Sequence, residues 1–429
     1  MQPATIAGRS PRNMSALVIP PVYFAQQRFD SSHVEDVASV VAATLDSSGI
    51  VIPAGEEIAL AVGSRGITAL STIVRSTADW VKGKGGKPFI VPAMGSHGGA
   101  TNHGQVEVLA SYGITEMAMS CPIRSEMQPV ALPRGESPVP VYLDRHIASS
   151  AGAIVINRIK VHTDYHGPYE SGLMKMMAIG MGKHAQALAI HQYGVPGLRE
   201  IMPRVAQEIL KSGKVLGGLG LVENAYDQPL HLEAIPASHI PRREPELLDL
   251  SRRHMPSFPL DEIDLLVVDQ IGKNISGVGM DPNIIGRMGI TGEPEPNVPN
   301  IGMIIIRDLT EESHGNALGM GLADICTRRF HDKVDLRPMY ENIFTSTFLQ
   351  RGKIPIVAET DEEAFAYAVR ALWCLEPGRL RIVRIRDTLH LSEMLLSQAA
   401  LNQVRPGVAL TSDPSQTPLF QSESQVWNG

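Results

Sequence analysis

Residues 154–191, IVINRIKVHTDYHGPYESGLMKMMAIGMGKHAQALAIH, organise the rest of the chain. The stretch begins with an apolar run that predicts a short buried strand, and a loop punctuated by glycine and proline then holds His162 and His166. A Met-rich segment with Lys175 and His191 follows. A lysine beside an apolar wall can lose its proton and become a nucleophile, and histidines there can move protons or bind metal. The stretch therefore predicts a pocket wall, and the alternative is a buried loop with hydrogen-bonded histidines.

Composition restricts the class of protein and its partners. The chain has 429 residues, of which 43% are hydrophobic and 19% charged, as in a globular protein of two domains. A net charge of −7 disfavours nucleic acid and anionic membranes as partners, whereas a small anionic substrate remains compatible. The three cysteines lie far apart without metal-ligand spacing, which predicts a reducing, cytoplasmic location. Neither a membrane span nor a signal peptide is predicted.

Three predicted strands run directly into polar loops that contain glycine. They are 57–62 before Ser64 and Arg65, 87–91 before Gly95 and His97, and 265–268 before Gln270 and Lys273. Loops that follow parallel strands lie at one edge of a sheet and can present backbone N–H groups to an anion. Each loop alone is a weak signal, but together with residues 154–191 they predict a shared crevice.

The remaining pattern alternates strands and helices. Helices are predicted at 34–46, 67–81, 105–112, 200–210, 315–330 and 361–375, a helix-to-loop passage at 246–258, and further strands at 153–156, 215–223, 301–306, 354–357 and 380–385. This alternation predicts an α/β protein with mainly parallel sheets. We expect two α/β domains, 1–260 with a flexible leader 1–15 and 261–410, an active-site cleft between them, and a flexible tail 411–429.

Over most of residues 55–390 the chain resembles the lactate racemase family, which uses the nickel-pincer nucleotide cofactor. Three motifs carry the resemblance: Gly95-Ser96-His97, the histidine loop leading to Lys175 with His191 sixteen residues later, and Gln270-x-x-Lys273. The resemblance implies an isomerase that inverts the hydroxyl-bearing carbon of a lactate-like 2-hydroxy acid. Inversion would proceed by reversible hydride transfer to the cofactor, a Ni(II) pyridinium-3-thioamide-5-thiocarboxylate mononucleotide.

The resemblance also assigns roles to individual residues. It implies that Lys175 is joined to the cofactor through a thioamide and that His191 is the nickel ligand, with His184 as the competing imidazole. His97 would be one proton-transfer group, and either His162 or His166 the second. The other implied contacts are Ser64, Arg65, Gly95 and Gly172 for the cofactor, and Gln270 and Lys273 for the substrate.

Two departures from the family pattern bear on the substrate. Val62 stands where the pattern has an aspartate, three residues before Arg65, and the loop from His162 to Lys175 is longer. Both departures favour a 2-hydroxy acid other than lactate.

Two other classes of function remain open on the sequence. One is a metal-dependent lyase or dehydratase of a hydroxy acid, and the other is a nucleotide- or anion-binding protein without catalysis. A small molecule is the expected partner in each case, and a homodimer is compatible with all of them.

Overall fold

A computed structural model describes residues 17–63 and 66–427. Two predicted site residues, Ser64 and Arg65, and the predicted leader lie outside this described part. The described chain forms two compact units. Residues 29–255 form one, and residues 17–28 together with 256–427 form the other. We call them the first and the second unit.

The strands have the following bounds. They are β1 (Val22–Arg28), β2 (Glu57–Val62), β3 (Lys87–Pro92), β4 (Val130–Leu132), β5 (Val141–Leu143), β6 (Gly152–Arg158), β7 (Val215–Glu223), β8 (Pro229–Pro236), β9 (Glu262–Ile271), β10 (Asn300–Leu309), β11 (Ile325–Thr327), β12 (Ile356–Ala358), β13 (Ile382–Ile385), β14 (Glu393–Ser397) and β15 (Ala409–Thr417).

The helices connect these strands. They are α1 (Val37–Ser47), α2 (Leu70–Gly83), α3 (Asn102–Ser111), α4 (Glu116–Met119), α5 (Arg145–Ser149), α6 (Leu173–Lys175), α7 (Lys183–His191), α8 (Gly194–Pro196), α9 (Met202–Lys211), α10 (Ile240–His254), α11 (Pro282–Ile285), α12 (Arg328–His331), α13 (Leu336–Ser346), α14 (Asp361–Ala371), α15 (Gln398–Leu401) and α16 (Glu423–Val426). The π-helical turn Met176–Gly180 follows α6 directly.

The first unit is built on a five-stranded sheet in the order β3-β2-β6-β7-β8. Its first four strands are parallel, so β2, β3, β6 and β7 end at the same edge. On one face, large side chains such as Ile58 and Leu60 join a core with α1 and α2. On the other face several residues are small, among them Ala59, Ala61 and Gly218, and a Cβ added at Gly218 would lie 2.7 Å from Leu173. The small residues therefore give the Met-rich segment room to approach the sheet.

The second unit contains an eight-stranded sheet in the order β12-β11-β10-β9-β13-β14-β1-β15. The first five strands are parallel, and β14, β1 and β15 extend the sheet with antiparallel pairing. Both units are thus α/β with mainly parallel sheets, which confirms the predicted fold class.

The domain limits differ from the prediction at both ends of the chain. Strand β1 pairs with β14 and β15, so the N-terminal strand belongs with the C-terminal half. The predicted flexible tail includes most of β15 and all of α16. Because β15 is an edge strand with exposed side chains, it lacks the alternating apolar pattern, whereas Leu419 and Val426 are buried.

One predicted helix is wrong, and one helix was missed in part. Residues 315–330 form a turn, the strand β11 and the short helix α12, because Gly315 and Gly319 adopt positive φ values of 80° and 95° and interrupt a helix. The proline-rich start of α10 was not predicted as helical. Pro241 occupies the first turn, where no N–H partner is lost, and Pro245 is tolerated inside the helix.

Candidate active site in the first unit

The loop after β6 is closed at its base and shaped from inside by Glu170. Two backbone hydrogen bonds join Lys160 and Ser171, with N···O distances of 2.8 and 3.1 Å. The buried Glu170 carboxylate accepts from the His162 N–H at 2.6 Å and from Arg252 at 2.5 Å. Burial alone would raise the pKa of Glu170, but hydrogen bonds from His166 and His162 outweigh burial and lower it. Glu170 therefore stays charged and fixes the loop.

His162 points at Lys175. Its Nε2 lies in hydrogen-bonding contact with Lys175 Nζ, and its Nδ1 accepts the Asp164 N–H at 3.0 Å. The imidazole is 13% exposed, and its ring centroid lies 4.7 Å from that of the buried Tyr165. The structure thus brings together two of the predicted site residues.

His166 has a different environment. Its Nδ1 lies 3.4 Å from a carboxylate oxygen of Glu170, and the side chain is 45% exposed. The Arg199 side chain donates to the His166 carbonyl at 3.0 Å. The side chain of His162 therefore contacts Lys175, whereas that of His166 contacts the buried Glu170 carboxylate.

The short helix that carries Lys175 begins against Glu244 of α10. One carboxyl oxygen of Glu244 accepts the Met174 N–H at 2.8 Å, and the other is buried without a hydrogen-bond partner. Burial raises the pKa of Glu244 to about 8. A Cβ added at Gly172 would lie 2.2 Å from this carboxyl, so the predicted cofactor residue Gly172 is required by packing.

Sequence reasoning missed Glu244, although a signal for it exists. Helix α10 buries Ile240, Glu244, Leu247 and Leu248 on one face, at helical spacing. A glutamate on an apolar helix face indicates a buried carboxyl with a specific partner.

Replacement of Glu244 by glutamine is expected to change how stability depends on pH. The folded-state pKa of about 8 lies above the ordinary value of 4.5, so the contribution of this carboxyl is lost as pH rises from 4.5 through 8. The free energy of unfolding of Glu244→Gln, relative to that of wild type, should therefore be higher at pH 9 than at pH 5 by on the order of a few kcal/mol. Urea unfolding at both pH values measures the difference, and an unchanged difference would show that Glu244 is ionised in the fold.

His191 ends the helical stretch that follows Lys175. It occupies the last position of α7, and its side chain reaches solvent. Surrounding protein atoms lower the pKa of His191, and a positive charge on Lys175 lowers it further. A neutral imidazole is the form that binds a metal. The competing imidazole of His184 lies exposed on the first turn of the same helix.

A buried ion pair anchors the segment between Lys175 and His191. Lys183 is fully buried, lies 2.9 Å from the Asp144 carboxylate, and donates to the carbonyl of Pro92 at the end of β3. Its φ of 59° separates the π-helical turn from α7. Desolvation lowers the pKa of Lys183, while Asp144 opposes the shift. The sequence alone did not identify this pair.

The loop that carries His97 packs on the same segment. Gly95 N–H donates to the Gly180 carbonyl at 3.4 Å, and the buried Gln105 side chain donates to the Gly95 carbonyl at 3.0 Å. Gly95 has a φ of 60°, and an added Cβ would lie 3.1 Å from Ile179. His97, two residues on, is exposed. The predicted Gly95 thus holds the His97 loop against the Met-rich segment.

The loop after β2 also contacts this segment. A Cβ added at Gly63 would lie 2.5 Å from Met176 and 3.3 Å from the Asn157 side chain. The Asn157 amide in turn donates to the Gly172 carbonyl at 3.0 Å. Loops after β2, β3 and β6 therefore converge on residues 172–180, as expected for the shared edge of a parallel sheet.

The predicted substrate residues lie in the second unit. Gln270 donates to Glu423 at 3.0 Å, and Lys273 Nζ donates to the Gly277 carbonyl at 2.7 Å. Within the unit, both residues follow the buried part of β9, where the sequence placed them. Their role toward a substrate stays a prediction.

The described residues contain neither a cluster of metal ligands nor a helix that could span a membrane. Across residues 17–63 and 66–427, no group of three or more His, Cys, Asp or Glu is arranged to hold a metal ion. In the same part of the chain, no helix has the length and apolarity needed to cross a membrane.

The fold is similar to that of a known racemase. No protein-family model and no curated protein matches the sequence. Among solved structures, the lactate racemase apoprotein from Thermoanaerobacterium thermosaccharolyticum is similar with a TM-score of 0.52 and 13% identity. The similarity covers 84% of this chain and 94% of that chain. At this identity the likeness shows a lactate racemase-like fold.

Proposed function

We propose that this protein is an isomerase that inverts the hydroxyl-bearing carbon of a 2-hydroxy acid with a nickel-pincer nucleotide attached to Lys175. The observation that carries the proposal is the arrangement around Lys175. Its amine contacts His162, and the helix that follows the π-helical turn ends at His191. The lactate racemase-like fold supports the same assignment.

The residues fit the proposed cofactor by their chemistry. A covalent attachment needs an amine with a partner that can hold it unprotonated, and Lys175 has an imidazole in contact. A metal whose other ligands belong to the cofactor needs only one protein donor. His191 supplies a neutral imidazole, because its surroundings lower its pKa.

In this proposal the protein side chains position the substrate and transfer protons. When bound, the cofactor supplies a centre that takes up and returns a hydride. His97 and a histidine of the loop after β6 exchange the hydroxyl proton, since imidazole serves as acid or base near neutral pH. For His162, the Asp164 carboxylate lies 3.9 Å from Nδ1 and would stabilise the protonated ring. Glu170 holds the loop in place from inside.

The proposal is tested by co-expression with enzymes that synthesise the cofactor. The purified protein should contain nickel and interconvert the enantiomers of at least one 2-hydroxy acid in a chiral chromatographic assay. Oxygen-ligated metal with dehydration of the substrate would instead support the lyase. Binding of a nucleotide without metal or turnover would support the non-catalytic class.

Single replacements of the histidines should separate the two half-reactions. Each enantiomer needs one proton-transfer group on its own side, and loss of a positioned base costs ~10²–10⁴-fold. His97→Ala should therefore let only one enantiomer reduce the cofactor, and His162→Ala only the opposite one, as followed by stopped-flow absorbance.

His166→Ala serves as the matched comparison within the same loop. Because His166 contacts Glu170, we expect it to retain both half-reactions at reduced rate. If His166→Ala alone shows the pattern complementary to His97→Ala, the second base is His166. Equal loss of both half-reactions in all variants would contradict the two-base scheme.

A further inference from the structure

The loop that carries His97 packs closely against the first turns of helix α3. Gly98 has a φ of 64°, and a Cβ added there would lie 2.6 Å from the Gln105 backbone nitrogen. A Cβ added at Gly104 would overlap the Gly98 carbonyl oxygen. Because both positions are glycine, the two backbones can approach this closely, and the Gln105 side chain starts directly beneath the loop.

The side-chain amide of Gln105 donates to two backbone carbonyls of this loop. Its Nε2 lies 3.0 Å from the Gly95 oxygen and 3.3 Å from the His97 oxygen. An NH2 group carries two hydrogens, so one can serve each carbonyl. An amide oxygen in the same place would meet two other acceptors, so the nitrogen must be the atom that faces the loop. Gln105 therefore binds the loop on both sides of Ser96.

The other end of this amide is poorly satisfied. Gln105 is fully buried, and its Oε1 has no hydrogen-bond partner among the residues that the structure describes. An unpaired buried acceptor is unfavourable, and an apolar side chain of similar size would avoid it. As a packing residue the amide is thus a poor choice, whereas as a double donor to the loop it is well suited. This contrast points to a role beyond packing.

The backbone hydrogen bonds of the loop do not duplicate this contact. The His97 N–H donates to the Met94 carbonyl at 3.1 Å, and the Ala100 N–H donates to the Ser96 carbonyl at 3.1 Å. These bonds fold the loop on itself. The two bonds from Gln105 instead attach the part of the loop that contains His97 to helix α3.

We propose that Gln105 is a positioning residue, which fixes the backbone of His97 so that the imidazole is correctly placed for proton transfer. The inference rests on the proposed function for the role of His97. The backbone sets the Cα–Cβ direction of His97, and a displacement of about 1 Å at a catalytic group can cost about 10²-fold in rate. Gln105 acts through His97 and does not itself touch the substrate.

Hydrogen exchange in the protein without cofactor tests the attachment of the loop. Gln105→Leu removes both donors, and Gln105→Glu replaces the NH2 group by a carboxyl oxygen. A protonated carboxyl can still donate to one carbonyl, whereas an ionised carboxylate donates to neither and faces two carbonyl oxygens. Amide exchange in peptides that cover 95–100 is measured by mass spectrometry from pH 6 to pH 9. Each rate is divided by the wild-type rate at the same pH, which removes the intrinsic pH dependence of exchange.

Gln105→Leu should exchange faster than wild type by the same factor at every pH, about 2- to 10-fold for each hydrogen bond lost. For Gln105→Glu the ratio should rise with pH, because the carboxyl loses its proton. Asn102→Asp is the matched control, since it makes the same amide-to-acid change at an exposed position of the same helix, and its ratio should stay constant.

Peptides of strand β7 report global unfolding of the first unit in the same samples. The loop should exchange faster in the variants while β7 keeps the wild-type rate. A ratio near one for Gln105→Leu, no rise with pH for Gln105→Glu, or a loop that opens only together with β7 would overturn the inference.

Stopped-flow reduction of the cofactor-loaded enzyme by each enantiomer separates positioning from general damage. Gln105→Leu should slow the half-reaction that depends on His97 by about 10-fold or more and leave the other within about 2-fold. Relative to wild type, Gln105→Glu should recover part of the slowed half-reaction towards pH 6, because the protonated acid restores one donor. Equal slowing of both half-reactions, or of neither, would contradict the positioning of His97.

The two measurements separate this inference from the proposed function. Faster, pH-dependent loop exchange in a protein that takes up no nickel would keep the attachment by Gln105 and refute the proposed function. A nickel adduct and turnover together with unchanged loop exchange would keep the proposed function and refute the role of Gln105.

Discussion

Replacement of Lys175 by alanine or arginine is expected to abolish both covalent cofactor attachment and racemase turnover. The proposed bond forms at the ε-amine, which alanine lacks, and a guanidinium stays protonated and is a poor nucleophile. Arginine keeps the positive charge and length, so its failure would separate covalent chemistry from electrostatics. Intact-protein mass and chiral turnover assays measure the two losses.

Lys160→Ala is the matched control for this experiment. Lys160 lies in the same loop, where its backbone, rather than its side chain, pairs with Ser171. The variant should keep the adduct and turnover. Wild-type turnover in Lys175→Arg would rule out attachment at this position.

Replacement of Lys183 by methionine is expected to destabilise the first unit strongly. The change leaves the Asp144 carboxylate buried without its cation and the Pro92 carbonyl without its donor. Removal of one partner of a buried ion pair costs about 3–5 kcal/mol. Urea unfolding at neutral pH measures the loss in the free energy of unfolding.

An exposed ion pair of the same unit provides the comparison. Lys82 lies 3.3 Å from Asp79, and both side chains are well exposed, so Lys82→Met should cost only about 0–1 kcal/mol. The double variant Lys183→Met/Asp144→Asn should lose less than Lys183→Met, because no charge is left unpaired. A loss below about 1 kcal/mol in Lys183→Met would contradict the role of the pair.

Local sequence patterns predicted the strands in which consecutive residues are buried. Strands β2 and β3 were predicted with nearly correct bounds, because unbroken apolar runs such as 57–62 mark strands buried on both faces. The π-helical turn was not predicted, since its only sequence trace is the Met- and Gly-rich run 173–182. Strand β15 was missed because its pairing with β1 joins residues almost 400 positions apart, such as Val22 and Thr417.

The candidate site, like the fold, was predicted from the sequence only in part. Residue type marked the histidines and Lys175 as candidates, the family resemblance assigned their roles, and the structure brings His162 to Lys175. Glu244 and Lys183 act through partners that are fixed only by the fold, as Glu244 meets Met174 seventy positions away. Local sequence can indicate that a charge is buried, as the apolar face of α10 does for Glu244, but it does not identify the distant partner. Sequence reasoning could therefore identify reactive groups but not what holds them.

The most direct measurement is peptide mapping of protein that has been co-expressed with the cofactor-synthesis enzymes. The account predicts a covalent adduct on the peptide that contains Lys175. It also predicts that wild type retains nickel and that His191→Ala retains it less tightly. A lactate racemase loaded in the same cells shows that the cofactor was available. An unmodified Lys175 in this chain, beside a loaded control, would contradict the account.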